Sequence, residues 1–206
     1  NQRHLPPFPA VARAVAKHFG KVNQIYNNAG VADNDPITEN EKERYERILN
    51  VNLWGVIYGT KAFLPMMLAQ SEGCIVNISS VFGLAGYPAQ GAYNISKFGV
   101  RGLTECLWSE LEGTGVSAVC VHPGGIKTNI EKAGRRCAAA GEEEARFSML
   151  ADKLLQTPTE ECASDIIAGV ERGKRRIITG HTSTSLFWLT RLMPNRYPAI
   201  LKTIAG

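Results

Sequence analysis

Residues 116–125 read Val-Ser-Ala-Val-Cys-Val-His-Pro-Gly-Gly. Val116–Val121 is almost wholly apolar, as a strand covered on both faces of a parallel sheet should be, and Pro123-Gly124-Gly125 ends it. Outward from this strand, short apolar runs alternate with longer segments of helical period. Cys74–Ser79, bounded by Gly73, reads as a second buried strand, Val22–Asn27 as a weaker one and Arg176–Thr179 as a last short one. Phe8, Val11, Val15 and Phe19 fall on one helical face that Gly20 closes. A 3.6 period then runs from Tyr45 through Leu49, Leu53, Val56 and Thr60 to Met67. Thr38 and Glu41 read as its capping box, and Pro65 is expected to kink or split it near its end. Residues 93–112 are helical, with Val100, Leu103, Leu107 and Leu111 on one face, and Thr159–Gly169 is a further helix. Strands alternating with helices predict an α/β fold with a parallel sheet and flanking helices.

The 206 residues, 44% hydrophobic and 20% charged, describe one ordinary globular domain over 1–206 rather than a disordered chain. A net charge of +4 is too mild to argue for a nucleic-acid partner. No run approaches the ~18 apolar residues of a membrane span; Leu186-Phe187-Trp188-Leu189 is interrupted by Thr190 and Arg191. The five cysteines (Cys74, Cys106, Cys120, Cys137, Cys162) are odd in number and never form a C-x-x-C. That spacing excludes a zinc ribbon or a disulfide framework and fits reduced thiols; a cytoplasmic location and no metal are expected. Residues 129–157 are irregular, either a solvated excursion or a substrate loop closing over a ligand. The C-terminal tail, 182–206, carries Phe187, Trp188, Leu192, Met193 and Tyr197 and is expected to pack on the domain or a partner subunit rather than a membrane.

Tyr93 and Lys97 stand at i and i+4 at the start of a helix, on one face. A phenol titrates near 10, and an ammonium within ~4–6 Å favours its ionised form, so the pair can exchange a proton with a carbonyl or alcohol. An exposed helix pair is the plain alternative. Asn27-Asn28-Ala29-Gly30, Ser79-Ser80 and Pro123-Gly124 end three successive strands. Parallel strand ends cluster at one sheet edge, where open α/β sheets bind ligands. Asn52 lies mid-helix, where asparagine has no propensity reason to be.

These residues resemble the short-chain dehydrogenase/reductase family in its compact single-domain form. The matches are Asn-Asn-Ala-Gly at 27–30, Val51-Asn52, Ser80 placed 13 residues before Tyr93, Tyr93-Asn94-Ile95-Ser96-Lys97, and Pro123-Gly124-x-x-x-Thr128, covering about residues 8–180. The resemblance implies a Rossmann-like fold and NAD or NADP as cofactor. It implies that Tyr93 exchanges the proton, that Lys97 lowers the tyrosine pKa and binds the nicotinamide ribose, and that Ser80 holds the substrate oxygen. Ser79 is aimed at the opposite face by strand alternation. Asn52 would hold a relay water. Asn28, Ala29 and Gly30 would line the adenosine side, Gly124 after Pro123 would let the chain approach the nicotinamide, and Thr128 with the Ile126 backbone would fix the carboxamide. Val81, Phe82, Leu84, Tyr87, Gly125, Phe147, Met149 and Leu150 would give an apolar lining. The expected substrate is then a hydrophobic alcohol with its ketone or aldehyde: steroid-like, retinoid-like or fatty. A homodimer or homotetramer would use the tyrosine-bearing helix, through Leu103, Leu107, Trp108 and Leu111, unless these are core.

No T-G-x-x-x-G-x-G or G-x-G-x-x-G occurs, so the family's glycine-rich phosphate turn and first strands are missing from the expected sheet. An N-terminally truncated member is the expectation. Val22–Asn27 would then be an edge strand, and the chain alone would bind dinucleotide weakly and self-associate. The competing function is a non-catalytic fragment or scaffold of the same fold.

Overall fold

The computed structural model describes residues 8–130, 135–136 and 154–205. In chain order the elements are α1 (Phe8–Phe19), β1 (Gln24–Asn27), β2 (Asp33–Asn34), α2 (Lys42–Leu49), α3 (Gly55–Gln70), β3 (Gly73–Ile78), α4 (Gly91–Glu110), β4 (Val116–Pro123), β5 (Arg135–Arg136), α5 (Thr159–Glu171), β6 (Arg176–Thr179), α6 (Ser183–Leu192) and α7 (Tyr197–Ala205). The main sheet is parallel throughout, in the order β1-β3-β4-β6; β2 and β5 form a separate parallel pair. Asn27 lies opposite Asn77, Ile78 opposite Val121, and Pro123 opposite Thr179, so the strand ends line up along one edge.

Strand alternation divides the core between the two faces. Ile75, Val116 and Ala118 pack with Met67 of α3, Leu107 of α4 and Leu111, and Val15 of α1 joins them. On the other face Cys74, Val76, Ile78, Val119, Val121 and Ile177 meet Ile166 and Val170 of α5. β1 is the sheet edge, and its Tyr26 is exposed. A ladder of polar groups pins helices to strands. Asn27 Nδ2 donates to Asn77 Oδ1 (2.8 Å) and Thr60 Oγ1 (3.3 Å), and Asn77 Nδ2 to Thr104 Oγ1 (3.1 Å). Gly59 is required beneath it, because a Cβ there would lie 2.1 Å from Asn27 Oδ1.

Several local expectations are corrected. α1 buries Ala12 and half-buries Phe8 and Val15, while Val11 and Phe19 face outward. The Thr38–Glu41 capping box does not form: Glu41 is itself the N-cap and makes no side-chain cap bond. Tertiary ion pairs set that helix instead, Arg44 to Asp35 and Arg47 to Asp33 (3.0 Å), with both aspartates buried. The long helical period is interrupted by a π turn at Asn50–Trp54, between α2 and α3, and not by Pro65. α3 runs through Pro65 because Phe63, Leu64, Met66 and Met67 pack on the core around it, offsetting one missing backbone bond.

On α4, Leu107, and just past its end Leu111, are core rather than a dimer face, and Trp108 Nε1 donates to Ala118 O (3.0 Å). Exposed apolar residues of that helix are Ile95 and Phe98. The tail packs on the domain at both helices: Ser183 Oγ donates to Thr179 O (2.7 Å), and the Tyr197 hydroxyl accepts from Gly86 N (3.1 Å). Cys74, Cys106, Cys120 and Cys162 are free thiols; Cys137 lies outside the described residues. No helix among the described residues is long and apolar enough to cross a membrane.

Candidate active site

The carboxyl edge of the sheet gathers Asn28-Ala29-Gly30 after β1, Ser79-Ser80 after β3 and Gly124 after β4. α4 begins beside them, and its first two turns carry Tyr93 and Lys97. Ser79 Oγ donates to Lys97 O (2.8 Å), which fastens α4 to the end of β3. As alternation requires, Ser80 then faces the other way and shares a side-chain hydrogen bond with Tyr93. Lys97 is buried, with Nζ 5.6 Å from the Tyr93 ring centroid. Tyr93, Ser80 and Lys97 therefore converge.

The charge states differ from the expectation. Burial pushes the Tyr93 hydroxyl up to about 12, and the Ser80 hydrogen bond only partly opposes it. Lys97 does not acidify the phenol here, because its ammonium donates to Ile78 O (2.9 Å) and is itself pulled down to about 8 by burial. The phenol keeps its proton at neutral pH, and the lysine is the stronger acid of the two.

Asn52 sits in the π turn and is fully buried. Such turns widen a helix locally and recur at functional sites. Oδ1 accepts from Val31 N (2.8 Å); Nδ2 donates to Val31 O (2.8 Å) and Ser96 Oγ (3.2 Å). The amide thus clamps the Gly30–Val31 backbone to α4. A Cβ on Gly30 would lie 3.5 Å from Asn52 Oδ1 and 3.6 Å from Lys97 Nζ, so both groups look onto the same small space. Asn28 and Ala29 are exposed at the mouth of the site.

Packing alone already requires a glycine at 124. A Cβ there would lie 2.6 Å from Val81 Cγ1 and 2.7 Å from Ser183 Oγ. Gly125 adopts φ +64, and a Cβ on it would lie 2.5 Å from Leu154 O, so the turn of the chain there requires glycine. Val81 packs toward Gly124, and Leu84 is buried in its own loop. Of the expected apolar lining, Phe82 lies beside the phenol and Tyr87 beside Phe82. The Phe82 ring stands edge-on to Tyr93 (centroids 6.1 Å) and 5.6 Å from Tyr87. Phe147, Met149 and Leu150 lie outside the described residues. Ile126 is buried and bridges Thr157, whereas Thr128 is exposed.

Two residues escaped the sequence argument. Asn94 Nδ2 donates to Phe82 O (2.7 Å) and Ala85 O (2.8 Å), and Oδ1 accepts from Tyr87 N (3.2 Å). It staples the aromatic loop to α4. His122 is fully buried in β4, and its Nδ1 meets Ser80 O at 2.9 Å. Burial pulls it down to about 4, so the ring is neutral and the proton must sit on Nδ1 to serve a carbonyl. Nε2 then accepts from the Cys120 thiol (3.4 Å), which burial pushes up to about 12. The signal for Asn94 was an asparagine inside a helix's first turn; a buried histidine in an apolar strand was the signal for His122.

A family model described as short chain dehydrogenase matches residues 7–138. The putative oxidoreductase SadH of Mycobacterium tuberculosis is 44% identical over 195 residues, 93% of this chain and 70% of that protein. From the same organism, a 3-alpha-(or 20-beta)-hydroxysteroid dehydrogenase is 41% identical over 110 residues, 53% of this chain and 42% of that protein. Among solved structures, a short chain dehydrogenase/reductase from Burkholderia phymatum in complex with NAD superposes with a TM-score of 0.81 at 28% identity, covering 92% of this chain and 71% of that one.

Proposed function

Because this chain belongs to the short-chain dehydrogenase family, whose members are NAD(P)-dependent oxidoreductases, we propose that it interconverts an apolar secondary alcohol and its ketone, with Tyr93 as the proton donor. The observation that carries this reading is the convergence of Tyr93, Ser80 and Lys97 beside an aromatic loop at the carboxyl edge of the sheet. The residues present fit the nicotinamide half of the cofactor. Lys97 has used one of its three hydrogens on Ile78 O, and its ammonium faces the space above Gly30 with Asn52 Oδ1. Bound cofactor supplies or accepts the hydride.

The chain's own groups handle the proton. Ser80 and Tyr93, hydrogen-bonded to each other, offer two hydroxyls to one substrate oxygen. In reduction Tyr93 gives its proton to the oxygen as negative charge develops there. With the phenol near 12 and the ammonium near 8, a proton passed between them would move downhill from Lys97 to Tyr93. The space shared by Lys97 Nζ and Asn52 Oδ1 is where a solvent molecule would refill the lysine. The edge of Phe82 and the neighbouring Tyr87 favour a flat or aliphatic substrate over a charged one. A relative named as a hydroxysteroid dehydrogenase supports the steroid-like choice. Assembly with a second copy would use the exposed Ile95 and Phe98 of α4.

The test follows NADH and NADPH oxidation at a fixed ketone series, from steroid ketones to short polar ketones. Tyr93→Phe should lower the chemical rate by roughly 100- to 10,000-fold, the range of positioned acid catalysis. A variant that retains its rate, or a preference for charged ketones, overturns the proposal.

A further inference from the structure

The +4 net charge is not spread over the chain. Residues 172–206 contain seven Lys and Arg and no Asp or Glu, leaving 16 basic against 19 acidic residues in the first 171. Three of these cations, Arg191, Arg196 and Lys202, lie on α6, on the turn after it and on α7, the stretch that carries an exposed apolar stripe. On α6, Thr184, Ser185, Trp188, Arg191 and Leu192 share the exposed side, at the spacing of one helix face. Trp188 is 53% and Leu192 74% exposed, and Met193 follows at 37%. The opposite side of the helix is anchored: Phe187 lies under Arg176 (5.9 Å) and Arg191 (4.5 Å). Arg176 is paired with Glu105, whereas Arg191, Arg196 and Lys202 have no ion-pair partner among the described residues.

We propose that α6 and the chain leading to α7 form a docking face for an anionic lipid bilayer, with Trp188, Leu192 and Met193 entering the headgroup boundary and Arg191, Arg196 and Lys202 meeting the lipid charge. An amphipathic helix with Trp and Leu on its outer face and cations at its flanks lies in a membrane interface without crossing it. A second copy of the chain fits this face poorly, since it would set one acid-free basic tail against another. A nucleic-acid backbone would satisfy the cations but leave Leu192 and Met193 unused. The face also adjoins the site: Ser183, the first residue of α6, touches the Gly124 carbonyl (3.3 Å), and the Tyr197 hydroxyl holds Gly86 of the aromatic loop.

The test is vesicle flotation of the whole chain, with phosphatidylcholine alone against phosphatidylcholine containing phosphatidylserine. Binding is expected only with the anionic vesicles and should weaken as salt is raised. Arg191→Gln/Arg196→Gln/Lys202→Gln should bind roughly 100-fold more weakly, and Trp188→Ser/Leu192→Ser at least about tenfold more weakly, with unchanged circular dichroism. Quenching of tryptophan emission by brominated anionic lipid provides a measurement on the unsubstituted chain, and quenching is expected. No flotation, equal binding to neutral vesicles, indifference to both variants, or heparin binding without lipid binding overturns the proposal.

Discussion

Acid should unfold this protein through His122 before it inhibits the chemistry. The ring is buried between β4 and the end of β3, donates to Ser80 O (2.9 Å), and stays neutral to about pH 4 in the folded chain. In the unfolded chain it takes a proton near 6.5, so between 6.5 and 4 the unfolded state binds more protons and stability falls as pH falls. Stability from this group is therefore complete above 6.5. Working the two values through proton linkage gives a loss of about 2 kcal/mol from pH 7 to pH 5, and about 3 kcal/mol by pH 4. Urea unfolding across that range, for the chain and for His122→Asn, isolates the effect. Asparagine keeps a donor for Ser80 O but does not titrate, and the carboxylates common to both proteins cancel in the difference. Activity gives a second readout, because in the proposed reaction His122 acts only through its bond to Ser80 O. His122→Ala should lower kcat with little change in cofactor KM, and His122→Asn should recover part of it. Parallel stability curves for the chain and His122→Asn would refute the reasoning.

Three further outcomes follow from the same geometry. Lys97 falls to about 8 in the folded chain; reduction should slow as pH rises through about 8, and Lys97→Met should have a low rate without that inflection in a steady-state pH profile. By linkage the unfolded chain holds that proton to about 10.5, so stability should rise from about pH 8 to 10.5 and Lys97→Met should lack the rise in denaturant titrations. Asn52→Ala leaves the Val31 N–H and C=O without their side-chain partner, which should cost about 3 kcal/mol in urea unfolding and lower kcat as Gly30 loosens. Gly124→Ala drives a Cβ to 2.6 Å from Val81 Cγ1; the clash should destabilise by about 1–3 kcal/mol, read as a lower denaturation midpoint.

Local chemistry carried much of the site. Tyr93 and Lys97 share a face because four residues make about one helical turn, and Ser79 and Ser80 point apart because strands alternate. β4 was legible because an almost wholly apolar run suits a strand covered on both faces. Where prediction failed, a distant partner had decided the matter. The start of α2 answers to Asp33 and Asp35 rather than to its own capping residues. Leu107 and Leu111 are core because β4 lies under them, and no property of α4 alone distinguishes that from a dimer face.

By itself the sequence determined the alternation of strands and helices, the parallel sheet and the shared helix face of Tyr93 and Lys97, since these rest on apolar runs and on spacing along single elements. Tertiary structure alone decided the protonation of those groups. Burial, not the neighbouring ammonium, governs Tyr93, and the Ile78 carbonyl at the end of β3, 19 residues earlier in the chain, governs where Lys97 points. Desolvation depends on everything that packs around a group, and that surrounding comes from segments far apart in the chain.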